Sequence, residues 1–498
     1  MQSSEHLPDP RRWLSLIVIL AATFMAILDT FVVNVAIPSI QRSLHSSFAQ
    51  VELVIAGYTL VYAVMLITGG RLGDLYGRKR LFQGGMLGFT LASLLCGLAP
   101  NTDILIAVRL IQGLGAALMM PQVIALIQVT FAERERGIAL GFYGATVGIA
   151  SIAGQIVGGF LISINVFGLG WRSVFLVNIP LGIVAMLAAF PLIRESTRDR
   201  KHHLDLVGVG ILMIGLFLLT YPLVERHDVG WPLWTFLCLL LSPFVLALFV
   251  LYERHLTRIG GSPLVPLTLF QHRSFILGLL TALVYYSGNG ALFFVLALYL
   301  QLGLGFSALA AGLTFLPLGF GFFLSSLVAP RLVPFMGTWV LRVGAIIMGV
   351  GELWTLFVVQ QAGMVVPQGQ LLLPLLVVGL GEGIIAAPLM NIILAGVQSK
   401  DAGAIGGILT TVTQISMALG VALIGIVFFA VLGRPAPGHP QQLAHAYGQA
   451  FVAAVFAITA LAVATLFFVS LLPSLKRAKR ETNAKALDTV SVQEGVSQ

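Results

Sequence analysis

The sequence predicts an all-α, polytopic membrane protein with fourteen transmembrane helices. Of its 498 residues, 58% are hydrophobic and only 10% are charged, whereas a soluble domain carries about 25% charged residues. Apolar runs recur along the chain, each close to the roughly 17–25 residues that a helix needs to cross the hydrocarbon of a bilayer. Strands of a membrane barrel would instead alternate polar and apolar residues over about ten positions. The chain is therefore expected to be helical and embedded in a lipid bilayer.

The apolar runs lie between two polar tails. Residues 1–12 form a short N-terminal tail, expected to be cytoplasmic, and no signal-peptide cleavage site is evident before Asp29, so the first run is expected to be retained. Residues 473–498 are basic and then polar, which is typical of a disordered tail. The predicted spans are 13–35, 51–70, 81–99, 103–125, 137–162, 171–192, 206–224, 234–252, 275–299, 308–328, 339–358, 371–395, 403–430 and 448–472.

The distribution of Lys and Arg predicts that both termini are cytoplasmic. In this orientation 23 of the 28 Lys and Arg residues fall on the inner side and four on the outer side, while Arg109 lies within a span. Cytoplasmic loops carry this excess of basic residues. The net charge of +8 is explained by orientation, so no nucleic-acid partner is predicted.

Two short repeats predict a duplicated core. Two patterns each recur about 260 residues further along the chain. One contains Arg-Leu and a later Gly, and the other contains Gly-Leu-Gly and a later Pro. The pairs are Arg71, Leu72 and Gly77 with Arg331, Leu332 and Gly337, and Gly113, Gly115 and Pro121 with Gly379, Gly381 and Pro388. We predict an N-terminal six-helix bundle over 13–192, two inserted helices with their loops over 193–274, and a C-terminal six-helix bundle over 275–472. Parallel repeats that handle substrate at their interface are typical of transporters.

The sequence offers no cofactor or catalytic site. All nine histidines lie in predicted loops or termini, and no zinc, phosphate-binding-loop or nucleophile-elbow spacing is found. Cys96 and Cys238 fall within apolar runs, where a buried thiol is the expected state. We therefore predict no enzyme activity, no cofactor and no metal. A membrane-embedded enzyme or sensor, the least favoured hypothesis, would need a catalytic cluster or an appended signalling domain.

The loop Gly69–Arg80 between spans 2 and 3 is the most specific motif. Its glycines allow a tight turn and close approach of helices, and Asp74 can pair with a basic residue or a helix N-terminus. Basic residues alone would indicate only an inner loop, but the spacing Gly-x3-Gly-Asp-x2-Gly-Arg-Lys closely resembles the loop signature of the major facilitator superfamily. The resemblance implies a conformational-switch loop that comprises Gly69, Gly73, Asp74, Gly77, Arg78 and Lys79.

Other segments are similar to the fourteen-span drug:proton antiporter branch of this superfamily, in the expected order from residue 13 to about 430. Leu28–Pro38 resembles its first-helix signature and Arg109–Gly115 the fourth-helix motif. Further similar segments are Trp171–Pro180, Asp205–Gly208 and Pro263–Phe270. The resemblance implies the major facilitator fold, with two inserted helices, in a bacterial inner or plasma membrane.

The span-5 glycine motif departs from the antiporter pattern. Gly154, Gly158 and Gly159 match Gly-Pro-x-x-Gly-Gly, but Gln155 stands where proline is expected. Glycines still permit close helix packing, whereas the bend that proline imposes is expected to be absent. This substitution weakens the argument for antiport and leaves the fold unaffected.

Four acidic residues within or at the ends of spans are candidates for proton coupling or substrate binding. A central Asp costs about 2.5–3.5 kcal/mol on insertion scales, so intramembrane acids usually face a protein interior or cavity and often handle protons or ions. The candidates are Asp29 in the outer half of span 1, Glu382 near the middle of span 12, Glu352 in span 11 and Glu52 at the outer end of span 2. A buried helix–helix hydrogen bond is the alternative role for each. We expect Asp29 and Glu382 to meet at one central cavity.

Arg109 is the one basic residue within a predicted span. A buried guanidinium must find an acceptor, which leaves two roles open. It anchors the helix to backbone carbonyls, or, as the family resemblance implies, it sits near a carboxylate and biases its protonation.

Aromatic residues offer candidate contacts to a substrate. Those singled out are Phe142, Tyr143, Tyr285, Tyr286, Phe293, Phe294 and Phe315. Most of these side chains are expected to lie in the core or to face the lipid. The others are expected to line an adaptable pocket in which the aromatic ring faces attract cations.

The predicted function is multidrug efflux, coupled to protons and working by alternating access, with lipophilic or cationic compounds as substrates. This function would confer antibiotic resistance. A dedicated exporter of one metabolite, siderophore, lipid or antibiotic with the same fold is the alternative. The expected partners are protons, the small substrate and the bilayer, and the sequence indicates no oligomeric state.

Overall fold

The structure is a computed structural model that describes residues 10–195, 205–229, 232–261, 263–264, 267–362, 366–394, 402–433 and 440–472. These residues form sixteen α-helices and no strand. The helices are α1 Arg12–Leu44, α2 Phe48–Tyr76, α3 Arg78–Leu98, α4 Thr102–Thr130, α5 Glu133–Ile164, α6 Ser173–Leu176, α7 Asn178–Leu192, α8 Leu206–Val229, α9 Leu233–Arg258, α10 Arg273–Leu298, α11 Ala308–Thr314, α12 Leu316–Met336, α13 Trp339–Ala362, α14 Gln368–Leu394, α15 Ala402–Leu432 and α16 Pro440–Leu471.

Each predicted span corresponds to a helix, or to a pair of helices in the case of α6 with α7 and α11 with α12. Thirteen helical segments are long and apolar enough to cross a membrane, and the apolar part of α8, Leu206–Pro222, is shorter. The whole of α8 has 24 residues and a length of about 36 Å at 1.5 Å per residue, which exceeds the roughly 30 Å of bilayer hydrocarbon. The tails 1–9 and 473–498 lie outside the described residues.

The first span was predicted too short. α1 continues past residue 35 to Leu44 and contains Pro38. Asp29 therefore lies near the midpoint of α1 rather than in its outer half. Hydropathy did not predict this extension. The residues after 38 are more polar, and a prediction from apolar run length ends a helix where the apolar run ends.

The two six-helix bundles of the prediction are present, and they repeat the same packing. In the N-terminal half, α1–α7, helix α4 packs against α2 and α3. In the C-terminal half, α10–α16, helix α14 packs against α12 and α13 in the same way. A Cβ at Gly115 would lie 2.7 Å from the Phe89 nitrogen of α3, and one at Gly381 would overlap Met348 of α13. The repeated glycines thus stand at equivalent helix crossings.

The two Arg-Leu repeats end their helices alike. Gly77 follows α2 with φ of 106°, and Gly337 follows α12 with φ of 59°. Each donates its N–H to a carbonyl four residues earlier, that of Gly73 or Val333. Positive φ is readily adopted by glycine alone, which explains why glycine stands at both positions.

The inserted helices α8 and α9 pack against each other, and α8 also packs against α2 and α15. It therefore contacts one helix from each half. We call the end of the molecule that carries Gly69–Arg80 the loop side, and the opposite end the far side.

Hydrogen bonds join the halves near the middle of α2, where Thr411 of α15 donates to the Ala63 carbonyl at 3.1 Å, and on the far side. The Gln301 amide donates to the Val35 carbonyl at 3.0 Å, and Ser163 accepts from the Leu309 N–H at 3.2 Å. Farther along the same face of α5, Cβ atoms at Gly141 and Gly144 would meet no heavy atom of another element within 4 Å. Among the described residues, α5 therefore separates from the other half toward the loop side.

Candidate functional site

The N-terminal half encloses a fully hydrogen-bonded acid. Asp29 is completely buried. One carboxylate oxygen accepts from Arg109 Nη1 at 2.5 Å. The other accepts from the side-chain amides of Gln112 and Asn178, both at 2.9 Å. Charge and hydrogen-bonding capacity are therefore balanced locally, the condition under which a buried ion pair is tolerated.

Arg109 contacts both kinds of acceptor that the sequence left open, a carboxylate and a backbone carbonyl. Its guanidinium pairs with Asp29, and its Nε donates to the Val54 carbonyl of α2 at 3.0 Å. It also lies 4.0 Å from the centroid of the Tyr58 ring. Arg109 and Gln112 are three residues apart on α4, so they share one helix face. Three helices of the N-terminal half are thereby joined around a single guanidinium.

The span-5 glycines position α1 beside this cluster. A Cβ at Gly154 would lie 2.9 Å from the Leu28 carbonyl oxygen, next to Asp29, and one at Gly158 would lie 3.1 Å from the Val32 carbonyl oxygen. Gly159 faces Ala308 of α11 in the other half. The predicted close packing is thus present, and α5 runs as one helix with no break at Gln155.

Gln155 itself is buried at the contact between the halves, with 1% of its surface exposed. Neither its side-chain oxygen nor its nitrogen has a hydrogen-bond partner among the described residues. Its backbone carbonyl faces Gly312 of α11, where a Cβ would lie 2.5 Å from that oxygen. The residue that replaces proline therefore adds an amide to the interface and no bend.

The C-terminal half contains two buried acids of a different kind. Glu382 and Glu352 are 2% and 3% exposed and lie within electrostatic range of each other. Glu382 has the side chain of Asn289 as a hydrogen-bonding neighbour, and Glu352 has that of Thr459. Among the described residues, no Arg, Lys or His forms an ion pair with either acid, and one oxygen of each accepts no hydrogen bond.

The glycines that flank Glu382 accommodate helices rather than a ligand. Gly381 packs against Met348 of α13, and Gly383 packs against the Phe322 carbonyl of α12. The Glu382 backbone carbonyl accepts from the Tyr285 hydroxyl at 3.1 Å. Both glycines thus allow the close approach of neighbouring helices.

Glu52 lies in the contact between α2 and α15. It is 2% exposed, and its carboxylate faces Gly425. Nearby, Phe48 and Phe429 pack with ring centroids 4.4 Å apart. Glu52 is therefore buried between the halves on the far side.

The loop Gly69–Arg80 makes several polar contacts to its own half. Asp74 pairs with Arg78 at 2.9 Å. The Lys79 N–H donates to a Glu195 carboxylate oxygen at 3.1 Å, and the Lys79 ammonium to the Phe190 carbonyl at 2.7 Å. Gly69 and Gly73 pack against α4, where the Gln122 amide donates to the Gly69 carbonyl at 2.7 Å.

Aromatic residues lie between the two acid clusters. Tyr58, beside Arg109, packs 6.0 Å from Tyr62, and Tyr143 of α5 lies within electrostatic range of Tyr62 and of Tyr286. Tyr286 in turn contacts Tyr285, with ring centroids 4.7 Å apart. These five tyrosines, which we call the tyrosine row, run from the N-terminal cluster to Glu382.

The structure thus joins Asp29 with Arg109, and Glu352 with Glu382, but it places the two pairs in separate bundles. The shared cavity of Asp29 and Glu382 stays a prediction, and both acids are buried away from the lipid. Sequence reasoning did not assign roles to Gln112 and Asn178. The sequence does contain a signal for each. Gln112 lies three residues after Arg109, and Asn178 is an amide within an apolar run.

Comparison with known proteins agrees with this architecture. The sequence model of the Major Facilitator Superfamily matches residues 19–421. The chain belongs to this superfamily. It is 39% identical to the "Probable actinorhodin transporter" of Streptomyces coelicolor over 86% of this chain and 74% of that protein. It is 30% identical to the "Multidrug resistance protein Stp" of Mycobacterium tuberculosis CDC 1551 over 84% of this chain and 76% of that protein.

A solved member of the superfamily shares the fold at low sequence identity. A bacterial homologue of the human lysosomal transporter Spinster, crystallised in an inward-facing and occupied conformation, superposes with a TM-score of 0.67. The match covers 96% of this chain and 99% of that one at 17% identity. The predicted major facilitator fold is therefore confirmed, and the chain is a multi-pass membrane protein of a transporter superfamily.

Proposed function

We propose that this protein exports lipophilic, often cationic, organic compounds in exchange for protons, and that it works by alternating access. The observation that carries the proposal is the pair Glu352 and Glu382, two buried acids with no basic partner among the described residues. A buried charge without a partner is so costly that the group takes up a proton instead. These acids are therefore suited to bind and release protons as their access to water changes.

Asp29 has a different place in this proposal. Its carboxylate is already paired with the Arg109 guanidinium. Opening of this pair would leave a guanidinium buried without its partner. We propose that Glu382 and Glu352 bind the transported protons, and that Asp29 and Arg109 stabilise the N-terminal half.

The substrate is proposed to bind along the tyrosine row. Tyr143 and Tyr286 are partly exposed and belong to opposite halves, close to where the halves separate. Aromatic ring faces attract organic cations, and Glu382 lies at one end of the row. Binding of a cation there would favour release of the proton from Glu382. Transport of the substrate would thereby be coupled to transport of protons.

The loop side is proposed to face the cytoplasm, as the distribution of basic residues predicts. The structure then corresponds to a state that takes up substrate from inside the cell. Similarity to a transporter named for actinorhodin and to a multidrug resistance protein supports the export of organic compounds.

The test uses purified protein in proteoliposomes with the fluorescent cation ethidium as the probe. We expect a pH gradient, acidic inside, to drive ethidium uptake that a proton ionophore abolishes. Glu352→Gln with Glu382→Gln should abolish gradient-driven uptake and retain ethidium exchange without a gradient. The control Asp103→Asn changes an exposed carboxylate at the start of α4 that accepts only from Gln50. Unchanged gradient-driven uptake in the double variant would refute the proposed coupling.

A dedicated exporter of one compound is the second candidate. Gln155 in place of the motif proline favours it, as does the similarity to a transporter named for a single antibiotic. Expression in a drug-sensitive bacterium separates the two functions. Resistance to several unrelated cations supports multidrug efflux, whereas resistance to one compound in a broad panel supports the dedicated exporter.

A further inference from the structure

Three sequence motifs that the transport proposal leaves without a role converge at Arg71. This residue belongs to the Gly69–Arg80 loop region at the loop-side end of α2. One of its Nη atoms donates to the Pro263 carbonyl, which opens the Pro263–Phe270 segment. Three carboxylates lie within electrostatic range of Arg71. They are those of Glu253 of α9, Asp205 before α8 and Asp74 on its own helix.

The inserted helices hold their two carboxylates rigidly. Asp205 caps α8, since one of its oxygens accepts from the Gly208 N–H at 2.8 Å, and the same oxygen accepts from the Tyr252 hydroxyl of α9 at 3.0 Å. Glu253 is fully buried. A Cβ at Gly208 would overlap Asp205 and lie 2.9 Å from Glu253. Glycine at position 208 therefore allows both carboxylates to approach the same point.

The C-terminal half shows what is special about Arg71. Arg331 is its counterpart in the repeat, at the corresponding place on α12, but it is exposed. Among the described residues, α8 of the inserted pair packs against α2 and α15. The contact with the inserted helices thus breaks the symmetry between the two switch loops.

Arg71 and Asp74 lie on one face of α2, three residues apart. Asp74 pairs with Arg78 in this structure. If Arg71 lost its partners on α8 and α9, it would compete with Arg78 for Asp74. The inserted helices therefore influence which basic residue Asp74 binds.

We propose that Arg71 is a positioning residue that fastens the inserted helices to the switch loop and thereby stabilises the state open on the loop side. Glu253 and Asp205 lie within electrostatic range of Arg71, and this attraction leaves Asp74 to Arg78. The proposal rests on the alternating access proposed above but not on its proton coupling or substrate.

The test measures opening on the loop side directly. Gly144→Cys places a thiol on the part of α5 where the halves separate, in a background with Cys238→Ala; Cys96 is buried and is retained. Maleimide labelling of this thiol in proteoliposomes needs neither proton gradient nor substrate. A failure of the transport proposal therefore leaves this measurement interpretable.

We expect Arg71→Ala and Glu253→Gln each to slow labelling by about five- to tenfold, because couplings between conformational states are typically about 5–150-fold. The double variant should be no slower than the slower single variant, since both remove one interaction. Arg71→Lys should restore part of the rate, because it keeps the charge. Arg331→Ala is the matched control and should label at the parental rate.

Thermal unfolding of each variant separates this role from a merely structural one. A structural role would lower the unfolding temperature and leave the labelling rate of the folded protein unchanged. That result, or additive effects in the double variant, or equal slowing by Arg331→Ala, would overturn the proposal.

Discussion

The two halves of this transporter repeat one packing scheme but bury their acids in opposite ways. Asp29 in the N-terminal half receives three hydrogen bonds, one of them from a guanidinium. Glu352 and Glu382 in the C-terminal half receive no ion pair from any described residue. The same helix scaffold thus holds a buried ion pair in one half and, among the described residues, two buried acids without a basic partner in the other.

This difference suggests a division of labour after duplication. A balanced ion pair rigidifies its surroundings because separating it leaves a buried charge. Acids without a basic partner respond to hydration and to a bound cation. The N-terminal cluster is therefore expected to determine stability, and the C-terminal acids to determine coupling.

The largest expected effect comes from breaking the N-terminal ion pair. Arg109→Ala leaves Asp29 buried without its cation, and the loss of one partner of a buried pair costs about 3–5 kcal/mol. Thermal unfolding in detergent should show a strong fall in stability. Asp29→Asn in the same protein should recover part of it, because no charge then remains buried. An unfolding temperature of Arg109→Ala equal to that of the parent would end the proposed contrast between the halves.

Removing the repeated glycines should have an intermediate effect that is similar in both halves. Gly115→Ala and Gly381→Ala each introduce a methyl group into a helix crossing, and overpacking costs about 1–3 kcal/mol. Gly84→Ala on α3, where a Cβ would meet nothing within 4 Å, is the control and should unfold like the parent. Unequal losses at positions 115 and 381 would show that the repeat is not energetically symmetric.

The smallest expected change in stability comes from neutralising a C-terminal acid. Glu382→Gln has nearly the same shape and keeps a hydrogen-bonding group beside Asn289, while it removes the possibility of a buried charge. Its unfolding temperature should equal or exceed that of the parent, although gradient-driven transport is lost. A strong loss of stability would instead assign Glu382 a structural role like that of Asp29.

Several features could be predicted because they depend on local sequence. Apolar run lengths predict a polytopic helical protein, and thirteen candidate spans are found among the described residues. The spacing in Gly69–Arg80 indicates the superfamily. The family-like motif around Arg109 and the cost of a lone buried guanidinium led to the expectation of a carboxylate partner, and the structure places Asp29 there. Glycine spacing in span 5 anticipated the close approach of α5 to α1.

Other features depend on contacts between residues distant in the sequence. The extension of α1 to Leu44, the pairing of Asp29 with Arg109, and the proximity of Glu352 to Glu382 belong to this class.

The sequence alone thus determined the fold class, the duplication and the family, because hydrophobic length, charge bias and glycine spacing act within a segment. Only the tertiary structure decided which acids are paired, because the partner of a buried charge is brought to it by helix packing, as Arg109 is to Asp29 from 80 residues along the chain. The resulting contrast between Asp29 and Glu382 depends on whether a cation from another helix reaches the carboxylate.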